Sequence, residues 1–326
     1  MICLGIESTA HTIGVGIAED GRILANARHM HKPPQGQGII PRMAADHHAE
    51  FLAPVLSEAL ATAGIPLKEV DLFSFSRGPG IGQCLRVSCC AAKYLAAKHK
   101  KPIIGVNHCH AHLQISAGLL SMKDPLYVYV SGANTQLIVE NGLREKGQPR
   151  FLVMGETLDM GLGNLFDVFA REAKFAYPHG SEVARMAEKG GFFPLPYTVK
   201  GMNFAFAGLL TSAVRSLREH SSEDACHSLM ETAFAELCEA SERALCLTGK
   251  KELTVCGGVA QNSRFCRMLS LLCEEQGARF DVVAPEYNAD NGAMIAYTAL
   301  KEFEKGKRDA LFGLSLDGYW RIDQVD

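Results

Sequence analysis

Apolar and polar positions alternate along this chain in two successive passes of similar design. The first opens with Ile2-Cys3-Leu4-Gly5-Ile6, turns through Glu7-Ser8-Thr9-Ala10-His11-Thr12 and returns as Ile13-Gly14-Val15-Gly16-Ile17-Ala18. After Asp20-Gly21 a third apolar run covers 23–27. Short apolar runs bounded by turn residues predict three antiparallel strands. A 3.6-residue period over 43–63, closed by Gly64, predicts a helix with a glycine C-terminus. A strand at 72–75, a helix at 84–98, a strand at 103–106 and a histidine-bearing helix extending over 113–120 complete this half.

The second pass begins after Lys123-Asp124-Pro125, with strands at 126–130, 136–139 and 151–154. Helical segments to 189, a long helix at 225–247, a strand at 253–256, a helix at 262–276, a strand at 280–283 and a helix at 291–303 follow. Three antiparallel strands followed by β-α alternation, twice over, predict an α/β protein of two lobes, each a mixed sheet flanked by helices. The expected boundaries are 1–123 for the N-terminal lobe, 124–303 for the C-terminal lobe, and 304–326 returning to complete the first. The Gly-, Pro- and Phe-rich segment 190–210 reads as an ordered loop across the cleft.

A length of 326 residues fits two lobes better than a single core. With 47% hydrophobic and 21% charged residues, and with no apolar run near twenty residues or charged-then-apolar leader, the expectation is a soluble cytoplasmic protein with no membrane partner. The eleven cysteines contain no C-x-x-C pair, and several sit in apolar helical patterns, which suits reduced thiols in a reducing compartment. The net charge of −3 gives no compositional support for nucleic-acid binding, and the only basic knot is Lys98-His99-Lys100-Lys101.

Three of the twelve histidines fall within Asn107-His108-Cys109-His110-Ala111-His112. If the segment is helical, His108 and His112 are an i, i+4 pair facing one way, which lets a divalent metal accept two nitrogens, while His110 points elsewhere. A polar helix face or a phosphate contact remains the alternative. A carboxylate from elsewhere would complete a His₂-carboxylate set suited to zinc or iron. Cys109 stands where the H-E-x-x-H metalloprotease motif needs glutamate, so that chemistry is excluded.

The turns at Ser8-Thr9-Ala10 and Ser131-Gly132-Ala133-Asn134-Thr135 carry hydroxyls and free N–H groups suited to phosphate, or are two ordinary tight turns. Arg77-Gly78-Pro79-Gly80-Ile81-Gly82 departs from the P-loop pattern and reads as backbone crowding. Cys256-Gly257-Gly258-Val259-Ala260-Gln261-Asn262 could receive an anion or an adenine at a helix start. Asp167 is placed to reach a ribose or a metal-phosphate unit, whereas Asp159 reads as a cap or turn residue. Asp290, at a helix start, is either an N-cap or a ligand.

Taken together, Asn107-His108-Cys109-x-Ala111-His112, Tyr129-Val130-Ser131-Gly132-x-Asn134-Thr135-Gln136, Gly155-Glu156-Thr157-Leu158-Asp159, Gly257-Gly258-Val259-Ala260-x-Asn262 and Asp290-Asn291-Gly292-Ala293-Met294 resemble the catalytic subunit of the KEOPS complex. This is the universal tRNA threonylcarbamoyltransferase family, formerly called O-sialoglycoprotein endopeptidase, and the form here looks archaeal or eukaryotic. The resemblance implies an actin/Hsp70/sugar-kinase-like fold around a nucleotide cleft. It implies transfer of threonylcarbamoyl from threonylcarbamoyl-AMP to N6 of the adenosine following the anticodon in tRNA. Carried over by position, it implies one iron or zinc ion held by His108, His112 and Asp290, with a phenolate from Tyr129. An adenine nucleotide (ATP or threonylcarbamoyl-AMP) would meet Ser131, Gly132, Ala133, Asn134 and Thr135 on its phosphate side, and Asp167, Gly180 and Asn262 at the nucleoside, with Ser8 and Thr9 from the first turn. Implied partners are a small atypical kinase/ATPase, a dimerising subunit and a regulatory subunit.

The chain departs from the family pattern at several positions. Ala133 replaces a glycine, Ala184 replaces an acid with Glu182 close but off register, and Asn203-Phe204-Ala205-Phe206-Ala207-Gly208 lacks a carboxylate and two hydroxyls. These changes leave the implied metal ligands untouched. They keep two other functions in view, an ATP-dependent phosphotransferase of the acetate- or sugar-kinase type and a nucleotide-gated scaffold without turnover.

Overall fold

A computed structural model describes residues 1–32, 38–142, 145, 147–177 and 179–326. The elements follow the two-pass pattern closely. In chain order the first are β1 (Ile2–Glu7), β2 (Thr12–Glu19), β3 (Arg22–Met30), α1 (Pro41–Ala63), β4 (Leu72–Gly78), α2 (Gly82–His99), β5 (Ile103–Asn107) and α3 (His108–Leu119). Next come β6 (Leu126–Val130), β7 (Thr135–Glu140), β8 (Phe151–Glu156), α4 (Leu162–Glu172), α5 (Gly180–Ala187), β9 (Val199–Lys200), β10 (Asn203–Phe204), α6 (Ala207–Ser216) and α7 (Ser222–Thr248). The chain ends with β11 (Glu252–Cys256), α8 (Ser263–Gln276), β12 (Arg279–Asp281), α9 (Pro285–Asn288) and α10 (Gly292–Glu304).

Two five-stranded sheets form, ordered β3-β2-β1-β4-β5 and β8-β7-β6-β11-β12. In each the first three strands in sequence are antiparallel, and the later two add in parallel beside the first. Each half therefore repeats one strand order, which accounts for the repeated apolar pattern.

The chain divides into two compact units, Met1–Leu119 with Ala284–Asp326, and Leu120–Val283. The expected boundary after 303 thus shifts to 283, because α9 and α10 belong to the first unit. The reason lies in glycines. A Cβ on Gly16 would stand 2.0 Å from the backbone nitrogen of Ala293, and one on Gly5 2.3 Å from that of Ala296. Only bare backbone on β1 and β2 lets α10 lie this close.

The first sheet is buried on both faces. Leu4, Ile6, Val15, Phe73, Phe75 and Ile103 pack towards α1 and α2, whereas Cys3, Leu72, Ile104 and Val106 pack with Ala111, Ile115 and the apolar side chains of α10. Strands covered on both sides read as continuous apolar runs rather than alternating ones, as 72–75 and 103–106 do. In the second unit Leu126, Val128, Val130, Leu253 and Val255 share a core with α4 to α8.

Helix ends are set by local chemistry. Gly64 closes α1 in the left-handed region at φ 68°, as predicted. The Ser221 side chain accepts from Asp224 N at the start of α7, and Asn262 caps α8 through Phe265 N. The loop after Gly190 runs along α7 in the second unit: Gly191 N–H donates to Asp224, Phe193 N–H to Ser228 Oγ, and Thr198 N–H to Glu236. All eleven cysteines are free thiols. Among the described residues no helix is long and apolar enough to cross a membrane.

Candidate functional site

Strand β5 passes into α3 without a loop. Asn107, its last residue, accepts the N–H of His110 at 3.0 Å and so caps the helix. The helix begins at His108, earlier than the 113–120 span predicted, and the i, i+4 relation of His108 and His112 holds. Their rings meet edge to face with centroids 4.8 Å apart. Asp290, just before α10, points between them: Oδ1 lies 3.6 Å from His108 Nε2 and 3.4 Å from His112 Nε2. It is not the helix cap. Asn291 takes that role, accepting Met294 N–H at 2.9 Å.

Behind His108 stands a residue that the sequence pattern had placed only in a polar turn. Glu7, fully buried at the end of β1, has Oε2 3.1 Å from His108 Nδ1, and its Oε1 accepts Thr9 N–H at 2.6 Å. Thr9 Oγ1 is 3.3 Å from the same Nδ1. The signal available in the sequence was an acid ending an otherwise apolar strand.

Electrostatics follow from this packing. Burial alone would lower the His108 pKa, but the Glu7 and Asp290 carboxylates outweigh it and raise it to about 9. His112, buried beside His108, is held below the usual imidazole value. Burial opposes ionisation of Asp290, yet the two imidazoles hold its carboxyl well below the ordinary range. The Glu7 and Asp290 carboxylates thus flank the His108 ring on opposite sides, at Nδ1 and Nε2.

His108, His112 and Asp290 each offer a ligand atom, and these atoms lie within 4.8 Å of one another. Two imidazoles and a carboxylate are a borderline donor set suited to zinc or iron. A carboxylate behind one ligating imidazole is the usual outer support of such a centre. The residues therefore fit a bound divalent cation. His110 is excluded from the set: it is buried on another face, its Nε2 3.9 Å from Glu302.

The second unit builds a different arrangement. The turn between β6 and β7 closes through Ser131 N–H to Asn134 O at 2.8 Å and Asn134 N–H to Ser131 Oγ at 3.0 Å. Gly163 and Asn164 N–H donate to the Ser131 and Gly132 carbonyls, anchoring α4 under the turn. Gly257, at φ 99°, lies against the Val130 carbonyl, where a Cβ would come within 2.3 Å. The turn, the Gly257-Gly258 corner and the start of α4 thus converge at the carboxyl ends of the parallel strands β6 and β11, a common ligand position in α/β sheets. Gly132 has open space around it and Ala133 is exposed.

Several expected contact residues are engaged inside the fold instead. Ser8 Oγ lies 2.9 Å from the Cys84 carbonyl and 2.7 Å from Ser88 Oγ, so its hydroxyl is not offered to a phosphate. Thr135 Oγ1 accepts Leu162 N–H at 2.8 Å, and Asp167 Oδ1 accepts Gly180 N–H at 2.7 Å. Asp159, as expected of a cap, accepts the N–H groups of Phe206 and Ala207 at the start of α6. Glu182 pairs through both oxygens with Arg185, and Gly80 is crowded against Thr9. Tyr129 is buried on β6.

Residues 21–297 match the model of the tRNA N6-adenosine threonylcarbamoyltransferase family. The chain belongs to this family. It is 46% identical to the tRNA N6-adenosine threonylcarbamoyltransferase of Thermococcus kodakarensis, over all of this chain and 99% of that one. It is 43% identical to a probable bifunctional tRNA threonylcarbamoyladenosine biosynthesis protein of Methanothermobacter thermautotrophicus, spanning 60% of that longer protein. Among solved structures, HypF of T. kodakarensis superposes with a TM-score of 0.63 at 14% identity, over 94% of this chain and 48% of that one. That likeness concerns the fold, which is of the actin/Hsp70/sugar-kinase type, as the sequence resemblance implied. As a tRNA N6-adenosine threonylcarbamoyltransferase, the chain is an acyl-group transferase acting on adenosine in tRNA. Membership also brings a metal ion and an adenylate substrate, for which the triad His108, His112 and Asp290 supplies a candidate ion site.

Proposed function

We propose that the chain uses threonylcarbamoyl-AMP as donor, with one iron or zinc ion held by His108, His112 and Asp290 and a phenolate contributed by Tyr129. The observation that carries this reading is the convergence of both imidazole Nε2 atoms on one Asp290 oxygen, at 3.6 and 3.4 Å. When bound, the ion supplies Lewis acidity and orientation at the activated carbonyl. The donor is a mixed anhydride already activated for attack, so no serine or cysteine nucleophile is required. The adenosine N6 forms the new bond to the carbamoyl carbon and gives up one proton, and AMP departs with the electrons of the broken C–O bond.

The nucleotide is assigned to the second unit's turn. Gly132 and Ala133 present backbone N–H groups where side chains are small or absent, which suits phosphate oxygens. Ser131, Asn134 and Thr135 shape this turn. Asp167, Gly180 and Asn262 are proposed for the nucleoside side, with Ser8 and Thr9 from the first turn, where the Ser8 N–H donates to Ser76 and the Thr9 N–H to Glu7. The cellular setting proposed is cytoplasmic. The proposed partners are a small atypical kinase/ATPase, a dimerising subunit and a regulatory subunit of the KEOPS type. With a net charge of −3 the chain gains from cationic surface supplied by others in holding tRNA.

The deciding assay combines the protein with its partner subunits, tRNA, threonine, bicarbonate, ATP and the adenylate-forming enzyme. Threonylcarbamoyladenosine is expected with the wild type and absent with His108→Ala or Asp290→Ala. Modification that persists in both variants overturns the metal role. Transfer of phosphate to a sugar or acid, with no metal bound, would favour a phosphotransferase instead.

A further inference from the structure

Glu7 is the residue around the metal centre to which neither the motif resemblance nor the ligand set gives a role. Its side chain is wholly buried, and its two oxygens divide their work. Oε1 takes the Thr9 amide at 2.6 Å, which pins the Ser8-Thr9 turn to the end of β1. Oε2 faces Nδ1 of His108 at 3.1 Å. On the far side of that ring, Nε2 points towards Asp290 Oδ1 at 3.6 Å.

An ionised carboxylate only accepts hydrogen bonds, so the Glu7 contact selects the ring form with its proton on Nδ1, a proton that the Thr9 hydroxyl oxygen at 3.3 Å can also accept. A neutral imidazole carries one ring proton, and Nε2 is then the nitrogen with a free lone pair. Without Glu7 the ring could hold its proton on either nitrogen and could turn about its own axis. A metal centre tolerates deviations of only about 0.2 Å in ligand distance, so such freedom is costly.

We propose that Glu7 is a positioning residue for the metal centre: its carboxylate holds His108 in the Nδ1–H form with Nε2 aimed at the ion. Through Thr9 it also ties that ligand to the turn following β1. The proposal rests on His108, His112 and Asp290 being the metal ligands, and the test separates the two claims.

Zinc affinity would be measured by competition with a chelating dye for the full-length wild type and for Glu7→Gln, Glu7→Ala and His112→Ala. In the zinc-loaded wild type, 15N-labelled histidine would show which nitrogen of His108 carries the proton, assigned by its loss in His108→Ala. The expectation is a 10- to 100-fold weaker zinc affinity in Glu7→Ala, the usual effect of removing an outer-shell partner, and a smaller loss in Glu7→Gln, which keeps a neutral acceptor. The proton is expected on Nδ1 of His108. Should Glu7→Ala fail to fold, the isosteric Glu7→Gln and the wild-type nitrogen spectrum still decide. Wild-type zinc affinity in the Glu7 variants, or a zinc-loaded His108 protonated at Nε2, overturns the positioning role while leaving the ligand set intact. No zinc binding by the wild type, or binding undiminished in His112→Ala, overturns the ligand set and the positioning role with it.

Discussion

Replacing Gly16 by alanine should damage the proposed metal centre from a distance, through the backbone contact that holds α10 on the sheet. The new Cβ would lie 2.0 Å from Ala293 N, and 2.3 Å from both Ala293 Cα and Gly292 C. Ordinary contact begins near 3.4 Å, so helix and sheet must separate by about 1.4 Å (3.4 less 2.0). No side chain can rotate away, because every atom met is backbone. Overpacking of this kind costs roughly 1–3 kcal/mol, and a rigid clash belongs at the upper end. For a unit of this size each kcal/mol lowers Tm by about 2–4 °C, so a fall of about 5–10 °C is expected. Asp290 sits three residues before Ala293, and a shift of that size far exceeds the roughly 0.2 Å that metal ligands tolerate. Zinc affinity should therefore fall by at least about tenfold, the scale of an outer-shell defect. Gly14→Ala provides a graded comparison, since its Cβ meets Gly292 N at 2.9 Å and needs a much smaller displacement. Gly82→Ala, with nothing within 4 Å, is the control. Scanning calorimetry and dye competition should rank Gly16→Ala below Gly14→Ala, and Gly14→Ala below the control. If Gly16→Ala matches the control in both Tm and zinc affinity, the glycine contact does not position Asp290.

Other perturbations test separate parts of the molecule. Burial pushes the Glu236 carboxyl up to about 7, with the Thr198 N–H opposing and Asp159 and Glu239 adding to the rise. Its stabilising contribution is whole below the unfolded value near 4.5 and is lost as pH rises through 7, about 3 kcal/mol in all. Relative to wild type, Glu236→Gln should gain that much between pH 4.5 and 8 in denaturant titrations; a constant difference across this window would refute the assignment. Asp159→Ala removes the acceptor for Phe206 and Ala207 N–H and should cost about 1–2 kcal/mol in chemical denaturation, partly restored by asparagine. An unchanged midpoint would show that α6 does not depend on this cap. His110→Gln should keep one zinc per chain by elemental analysis, whereas His112→Gln should lose it; metal lost from both would place His110 among the ligands.

The fold is legible in the sequence because its strongest signals are local. The runs at 72–75 and 103–106 are apolar at nearly every position because helices cover both sheet faces, and Gly64 marks a helix end that does adopt the left-handed conformation. The repeated strand order is visible as repeated turns after the first strand of each half. What local pattern does not reveal is the return of α10. Its sequence is an ordinary apolar helix, and the cause of its docking lies in Gly5, Gly14 and Gly16, far away in the chain. Strand glycines read as weak points until the backbone lying against them is known.

The site divides along the same line. His108 and His112 announce each other by spacing, because one helix carries both. Asp290 comes from a distant segment and was supplied by motif resemblance; its own neighbourhood reads equally well as a helix start, a role that Asn291 fills. The proposed nucleotide residues were harder still, since Ser, Thr and Asn serve caps and ligands with the same atoms. Ser8, Thr135 and Asn262 hold the fold's own backbone or side chains. A phosphate group near the 131–135 turn would therefore depend more on main-chain N–H groups than on hydroxyls. On that reading Ala133 is a modest departure: its methyl narrows the approach but leaves the amide in place. The alanines at 205 and 207 are modest too, because the start of α6 is still capped by Asp159 through backbone N–H groups.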